Sequence, residues 1–195
     1  MLQSKLQKYK LVLASQSPRR QELLKHLDIS FEVIVKEDVE EIFPDDLSPL
    51  EVPEYLSRLK AEPYKEELEQ YPWIVITADT IVLCDGEILG KPKDRDDAIR
   101  MLQLLSGKSH EVVTGVCLSS GSHQHCFSVS TKVFFKQLSD DEINYYIDKY
   151  KPFDKAGAYG IQEWIGMVGI EKIEGSYFNV VGLPVQALYT ELMKF

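Results

Sequence analysis

Asp79 is set inside an apolar run, where packing alone gives no reason for a carboxylate. It lies in Thr77-Ala78-Asp79-Thr80. Burying a carboxylate in such a segment is costly unless it binds a cation, pairs with a base, or sits at the exposed end of a strand. Asp79 is therefore a candidate metal ligand or general base; the plainer alternative is a strand-end aspartate bonded to a neighbouring turn. A second concentration of polar groups is Ser15-Gln16-Ser17-Pro18-Arg19-Arg20, at the junction of an apolar run and a helical pattern. The first N–H groups of a helix lack intrahelical partners and carry partial positive charge, so two hydroxyls and two guanidinium groups beside them suit a chain of phosphates. The alternative is that Ser17 only caps the helix and the arginines are solvated. Leu89-Gly90-Lys91-Pro92 offers a compact positive charge next to a glycine, or simply a surface turn. The stretch from Asp154 to Gln162, Asp-Lys-Ala-Gly-Ala-Tyr-Gly-Ile-Gln, is too apolar for a mere linker. Its polar ends, Asp154, Lys155 and Gln162, are placed to face a ligand while Tyr159 packs.

These residues need a framework. Residues 10–15 read as a strand, followed by a helix over 19–27 with Pro18 at its first position, where a missing N–H does no harm. Residues 31–35 form a second short strand candidate and residues 36–46 an acidic, exposed loop. Ser48 is positioned to cap a helix through Lys60, with Pro53 near its first turn and Pro63 at its end. Residues 74–84 are rich in β-branched types, and Asp85-Gly86 marks a hairpin turn into Ile88-Leu89. An amphipathic helix follows over 94–105. Residues 112–118 and 128–135 read as antiparallel strands joined by a turn at 121–124. Ser139 and Glu142 form a capping box that opens a helix to about Tyr150. The tail offers short elements at 167–173 and 177–181 and a final helix from Pro184. Interleaved strands and helices with occasional hairpins indicate an α/β class: a mixed sheet with helices on its faces, in a single domain over 1–195.

The bulk properties narrow the partners. With 31 acidic and 22 basic side chains, the formal charge is -9. That field opposes a nucleic acid polymer, while small anions remain accessible to local lysines and arginines. The three cysteines, Cys84, Cys117 and Cys126, have no paired spacing and read as free thiols in a reducing compartment. No apolar run approaches membrane-spanning length and the first ten residues lack a signal-peptide core, so the expectation is a cytoplasmic protein without a membrane partner.

Six collinear stretches resemble the Maf family of nucleotide pyrophosphatases: LVLASQSPRRQELL from 11, ADTIV from 78, LGKP from 89, MLQLLSGKSHEVVTGV from 101, FDKAGAYGIQ from 153 and VVGLP from 180. The resemblance implies a twisted mixed sheet flanked by helices, two lobes around a central nucleotide-binding cleft, and a homodimer. It also implies hydrolysis of a nucleoside triphosphate to monophosphate and diphosphate with a divalent cation such as Mg or Mn. Asp79 then matches the family's proton acceptor, and Glu40, within Val39-Glu40-Glu41, a carboxylate near the metal, with Asp79 as the other metal-side group. Lys60 and Lys91 match phosphate-side lysines, with Arg20 on the same side and Ser15 and Ser17 as phosphate donors. Arg19, Thr80 and Gln162 match the set that marks the dTTP and UTP subfamily, whereas the sister subfamily acting on 7-methyl-GTP has Trp, Gln and Glu. An Arg fork and a Gln amide can together serve a pyrimidine edge with carbonyl and N–H groups. Two departures stand out. Leu56-Ser57-Arg58-Leu59-Lys60-Ala61 replaces the usual pattern around the middle lysine, and Gln162 is followed by Glu163 and Trp164 where glycine is common. Two other readings remain at this stage: a non-catalytic nucleotide-binding regulator of cell division, and a house-cleaning pyrophosphatase for noncanonical purine triphosphates.

Overall fold

A computed structural model describes residues 1–36 and 39–195. In chain order its strands are β1 (Lys10–Leu13), β2 (Glu32–Val33), β3 (Trp73–Cys84), β4 (Glu87–Leu89), β5 (Ser109–Ser119), β6 (Gln124–Phe135) and β7 (Ile170–Glu174). Its helices are α1 (Leu2–Leu6), α2 (Pro18–Lys25), α3 (Val52–Leu59), α4 (Lys65–Gln70), α5 (Arg95–Leu105), α6 (Asp140–Tyr150), α7 (Trp164–Gly169), α8 (Tyr177–Val181) and α9 (Val185–Leu192). Among the described residues the strands form one mixed sheet in the order β2-β1-β3-β5-β6-β7, with β4 paired to β3. β1 runs parallel to both β2 and β3, while β3–β4 and β6–β7 are antiparallel. The class is the α/β arrangement that the sequence indicates. β3 is almost continuously buried because its residues are almost continuously apolar, the pattern of a strand covered on both faces. Asp85 and Gly86 both take positive φ, 50° and 82°, the backbone that a tight hairpin requires.

Helix starts follow their caps. Ser17, Asp94 and Ser139 each accept a backbone N–H three residues on, and Ser139 with Glu142 completes the capping box. α3 departs from expectation. Its cap is Glu51, with no side-chain hydrogen bond, and Ser48 instead accepts the Glu51 N–H through its carbonyl at 2.8 Å. A helix begun at Ser48 would need an N–H from Pro53 for the carbonyl of Pro49, and proline has none. Residues 167–173 divide into the end of α7 and the start of β7, residues 177–181 form α8, and β2 is only two residues long.

The cysteine expectation needs correction for two of the three. Cys117 and Cys126 are joined in a disulfide with Cα atoms 4.0 Å apart, and Cys84 alone is a free, buried thiol. The pair faces across neighbouring strands: Cys117 lies three residues before Ser120 and Cys126 three after His123, which close the turn between β5 and β6. The argument from free thiols to a reducing compartment therefore lapses.

The chain divides into two compact units, the first comprising 1–79, 114–129 and 182–195, the second 80–113 and 130–181. In the first, Val12, Val75 and Tyr64 are fully or nearly buried, with Ala14, Ile34, Leu68 and Trp73 packed around them. Gly115 lets β5 approach the first turn of α3 so closely that a Cβ there would lie 2.2 Å from the Pro53 carbonyl. This contact seats α3, which ends at Leu59 with Lys60 as its C-cap. In the second unit, the His110 ring meets Phe135 and Tyr159 edge to face, with centroids 5.2 and 5.4 Å away.

Candidate active site

The first unit builds its polar cluster on the middle of β3. Thr77 donates to the Ser57 carbonyl at 2.5 Å, fixing the strand to α3. Two residues on, Asp79 is only 7% exposed, yet its Oδ1 receives the Lys60 ammonium at 2.6 Å. The same Nζ lies 2.9 Å from Glu41 Oε1, so one lysine joins two carboxylates brought from β3 and from the segment after β2. Asp79 is thus neither a solvated strand end nor an unpaired buried charge. Of the adjacent pair in Val39-Glu40-Glu41, Glu41 makes this contact; Glu40 is exposed, and its carbonyl accepts the Ile42 N–H at 2.9 Å. The resemblance points to Glu40, whereas the ion pair to Lys60 is made by its neighbour Glu41. Sequence patterning has little grip on an acidic loop without periodicity.

Beside this cluster, the loop before α2 is tightly organised. Ser17 N–H donates to Ser15 Oγ at 3.2 Å, Arg20 N–H to Ser17 Oγ at 3.4 Å, and the Gln21 amide to the Ser15 carbonyl at 3.1 Å. The capping role of Ser17 and a phosphate role are compatible, since the oxygen can also donate its own proton. Arg20 differs from the simple phosphate-side expectation. Its Nε donates to the Gly182 carbonyl at 2.8 Å and a terminal nitrogen to the Ala78 carbonyl at 2.9 Å. Burial lowers its pKa, against which the nearby Asp79 carboxylate acts. One of its donors thus holds the carbonyl immediately before Asp79 and another that of Gly182, a task no local pattern in Ser-Pro-Arg-Arg reveals.

The second unit carries the remaining candidates. Thr80 follows Asp79 along β3 and is half-buried, while Lys91 is exposed just past β4. The hairpin bearing Lys91 is tied to the glycine-punctuated loop by Gly157 N–H donating to the Gly90 carbonyl at 3.0 Å. Within that loop Lys155 pairs with Asp154 at 2.7 Å and with Glu163 at 3.1 Å. Tyr159 packs inward, as expected, with its hydroxyl 2.7 Å from His110 Nε2. Burial raises the Tyr159 pKa and pulls His110 down to about 4, keeping both neutral near pH 7. Gln162 is exposed and lines a groove of about 420 Å³ with Met167, Glu171, Lys172 and Tyr177 among its walls.

A cation would find oxygen donors at Asp79 and Glu41. Among the described residues there is no group of three or more histidine, cysteine, aspartate or glutamate side chains arranged to hold a metal. Two carboxylates aimed at one point nevertheless suit magnesium, which is commonly held by one or two carboxylates while substrate phosphates supply further oxygens.

A family model described as Maf-like protein matches residues 10–195. A dTTP/UTP pyrophosphatase of Porphyromonas gingivalis is 56% identical over 191 residues, covering 97% of this chain and 96% of its own. One of Phocaeicola vulgatus is 56% identical over 189 residues, covering 97% of each, and one of Flavobacterium psychrophilum 52% over 193 residues, covering 99% and 98%. Among solved structures, the Ham1 protein of Staphylococcus aureus aligns with a TM-score of 0.56 over 95% of this chain and 98% of that one. At 17% identity this is a likeness of fold.

Proposed function

The chain belongs to the Maf-like protein family, and from that membership we propose that it hydrolyses dTTP and UTP to the nucleoside monophosphate and diphosphate. The observation that carries the reading is the Asp79–Lys60–Glu41 cluster: a nearly buried carboxylate held by an ammonium that a second carboxylate shares. A module that only bound nucleotides would have no use for a carboxylate placed to activate water, and the relatives named above are pyrophosphatases.

In this reading Asp79 accepts a proton from water as the water oxygen bonds to phosphorus. The bridging P–O bond breaks and diphosphate leaves with the bonding electrons. Lys60 and Lys91 offset the negative charge gathering on the leaving group, a task of positioning and electrostatics that needs no covalent intermediate. Ser15, Ser17 and the first N–H groups of α2 donate to phosphate oxygens. Arg20 steadies the Ala78 carbonyl and so the carboxylate next to it. Arg19, Thr80 and Gln162 read the base. Asp79 and Glu41 would hold a divalent cation, Mg or Mn, which when bound lowers the pKa of water and neutralises phosphate charge. The same reading includes a homodimer working in the cytoplasm, where free nucleoside triphosphates are found.

The test is product analysis. With magnesium present, chromatography of a dTTP digest is expected to show dTMP and diphosphate in equal amounts with little orthophosphate. dTDP and orthophosphate as main products would overturn the reaction.

A further inference from the structure

Gln162 occupies a turn that is closed twice. The Glu163 N–H donates to the Gly160 carbonyl at 3.0 Å, making residues 160–163 a four-residue turn with Gln162 in its third position. The Tyr146 hydroxyl then bridges the same two ends: it accepts the Gly160 N–H at 3.0 Å and donates to Glu163 Oε2. Tyr146 is fully buried in α6, stacked on Tyr150, so the pin comes from a rigid helix. The other Glu163 oxygen meets Lys155 Nζ at 3.1 Å, and the Lys155 side chain is only 11% exposed. Among the described residues the Glu163 carboxylate meets Tyr146 and Lys155, and Lys155 also pairs with Asp154. Gln162, between the two pinned residues, is the member of the turn left exposed, and its side chain lines the groove with Met167 and Tyr177.

A side chain that discriminates bases by hydrogen bonding must hold its amide in one place. A glutamine at the tip of a loose turn gains little selectivity, because ordering it on binding consumes the energy of the bond. We propose that Tyr146 and Glu163 are positioning residues for base selection, the tyrosine hydroxyl locking the 160–163 turn so that the Gln162 amide is presented in a fixed orientation. The proposal rests on the reading that Gln162 contacts the pyrimidine. It gives a task to Glu163 and Tyr146, neither of which lies in any of the resembling stretches.

The experiment measures kcat and KM for dTTP, UTP, CTP and GTP with the full-length protein and the variants Tyr146→Phe, Glu163→Ala, Glu163→Gln, Gln162→Ala and Tyr146→Phe/Gln162→Ala, with melting curves as a check on folding. Tyr146→Phe keeps the ring and removes only the hydroxyl. It and Glu163→Ala are expected to raise KM for dTTP and UTP about tenfold, the scale of a lost hydrogen bond to a charged group, with kcat within about twofold and GTP little affected. Glu163→Gln retains an acceptor for Tyr146 and should keep most of the preference. Adding Tyr146→Phe to Gln162→Ala should cost no more, since the hydroxyl acts through Gln162. If Gln162→Ala abolishes the pyrimidine preference but both Tyr146→Phe and Glu163→Ala keep it, the positioning role is wrong while the reading of Gln162 stands. If Gln162→Ala itself leaves the preference intact, the reading and the proposal fall together. Should Tyr146→Phe fail to fold, Glu163→Ala decides alone.

Discussion

At the scale of single residues, Lys60 is the most informative side chain, because its two short contacts sort the acidic candidates. Asp79→Asn keeps the shape but loses the charge that accepts a proton. Turnover should fall by roughly 10²-fold or more, and a steady-state assay with magnesium checks it. Glu41→Gln should lower activity by about tenfold or more, the scale at which groups around a metal act, while Glu40→Gln stays near wild type. Equal effects from both would show that the ion pair to Lys60 does not mark the working carboxylate. For base selection, Gln162→Glu replaces a donor with an acceptor and should penalise dTTP and UTP by about 1–3 kcal/mol. Lys91→Ala should weaken all triphosphates alike, since they share the phosphate chain; efficiencies for dTTP, UTP, CTP and GTP decide. The sequence makes Asp79 legible because a carboxylate among β-branched residues violates packing. Glu41 is not legible, because nothing in a run of exposed acidic residues distinguishes one from the next. Arg20 is half legible: its presence at a helix start is plain, but its bonds to Gly182 and Ala78 join residues far apart in sequence.

At the scale of elements, two joints carry predictions. Gly115→Ala would drive a Cβ into the Pro53 backbone, which cannot swing away as a side chain can. The variant should lose about 1–3 kcal/mol of stability by urea denaturation. The His110–Tyr159 bond ties β5 to the glycine-punctuated loop, and the other imidazole nitrogen, Nδ1, is buried without a hydrogen-bond partner among the described residues. Burial lowers its pKa from 6.5 to about 4, so in that window the unfolded chain binds a proton that the folded one refuses. The neutral form's contribution is complete above pH 6.5 and disappears as the pH falls toward 4, a total of about 3 kcal/mol. Urea titrations at several pH values should show a shallower slope over this window for His110→Phe than for the wild type. Most elements were legible in the sequence because caps and turn residues are local signals: Ser17, Asp94, Ser139 and Asp85-Gly86 act within four residues of where they stand. The start of α3 was not, since Ser48 resembles a cap until the two prolines after it are weighed together. The Cys117–Cys126 bond is visible only once the turn between β5 and β6 sets their register.

At the scale of the whole molecule, the proposed cation site predicts a metal that serves turnover and not the fold. The proposed cation donors are two carboxylates that already meet a lysine, so chelation should stop turnover while the melting temperature without nucleotide barely moves. Calorimetric scans with and without chelator check it. A large drop in melting temperature would mean that the ion is structural. The shared lysine also couples two binding events in the proposed site. The Lys60 ammonium is engaged by Asp79 and Glu41, so a phosphate must compete with them for it. Whatever draws those carboxylates away releases the lysine for the nucleotide, and the nucleotide, by holding the lysine, leaves the carboxylates open. Such mutual release is positive cooperativity between two different ligands, and thermodynamic linkage requires it to be reciprocal. The factor by which magnesium tightens a non-hydrolysable dTTP analogue should equal the factor by which the analogue tightens magnesium, and both should shrink when Lys60 is replaced by methionine.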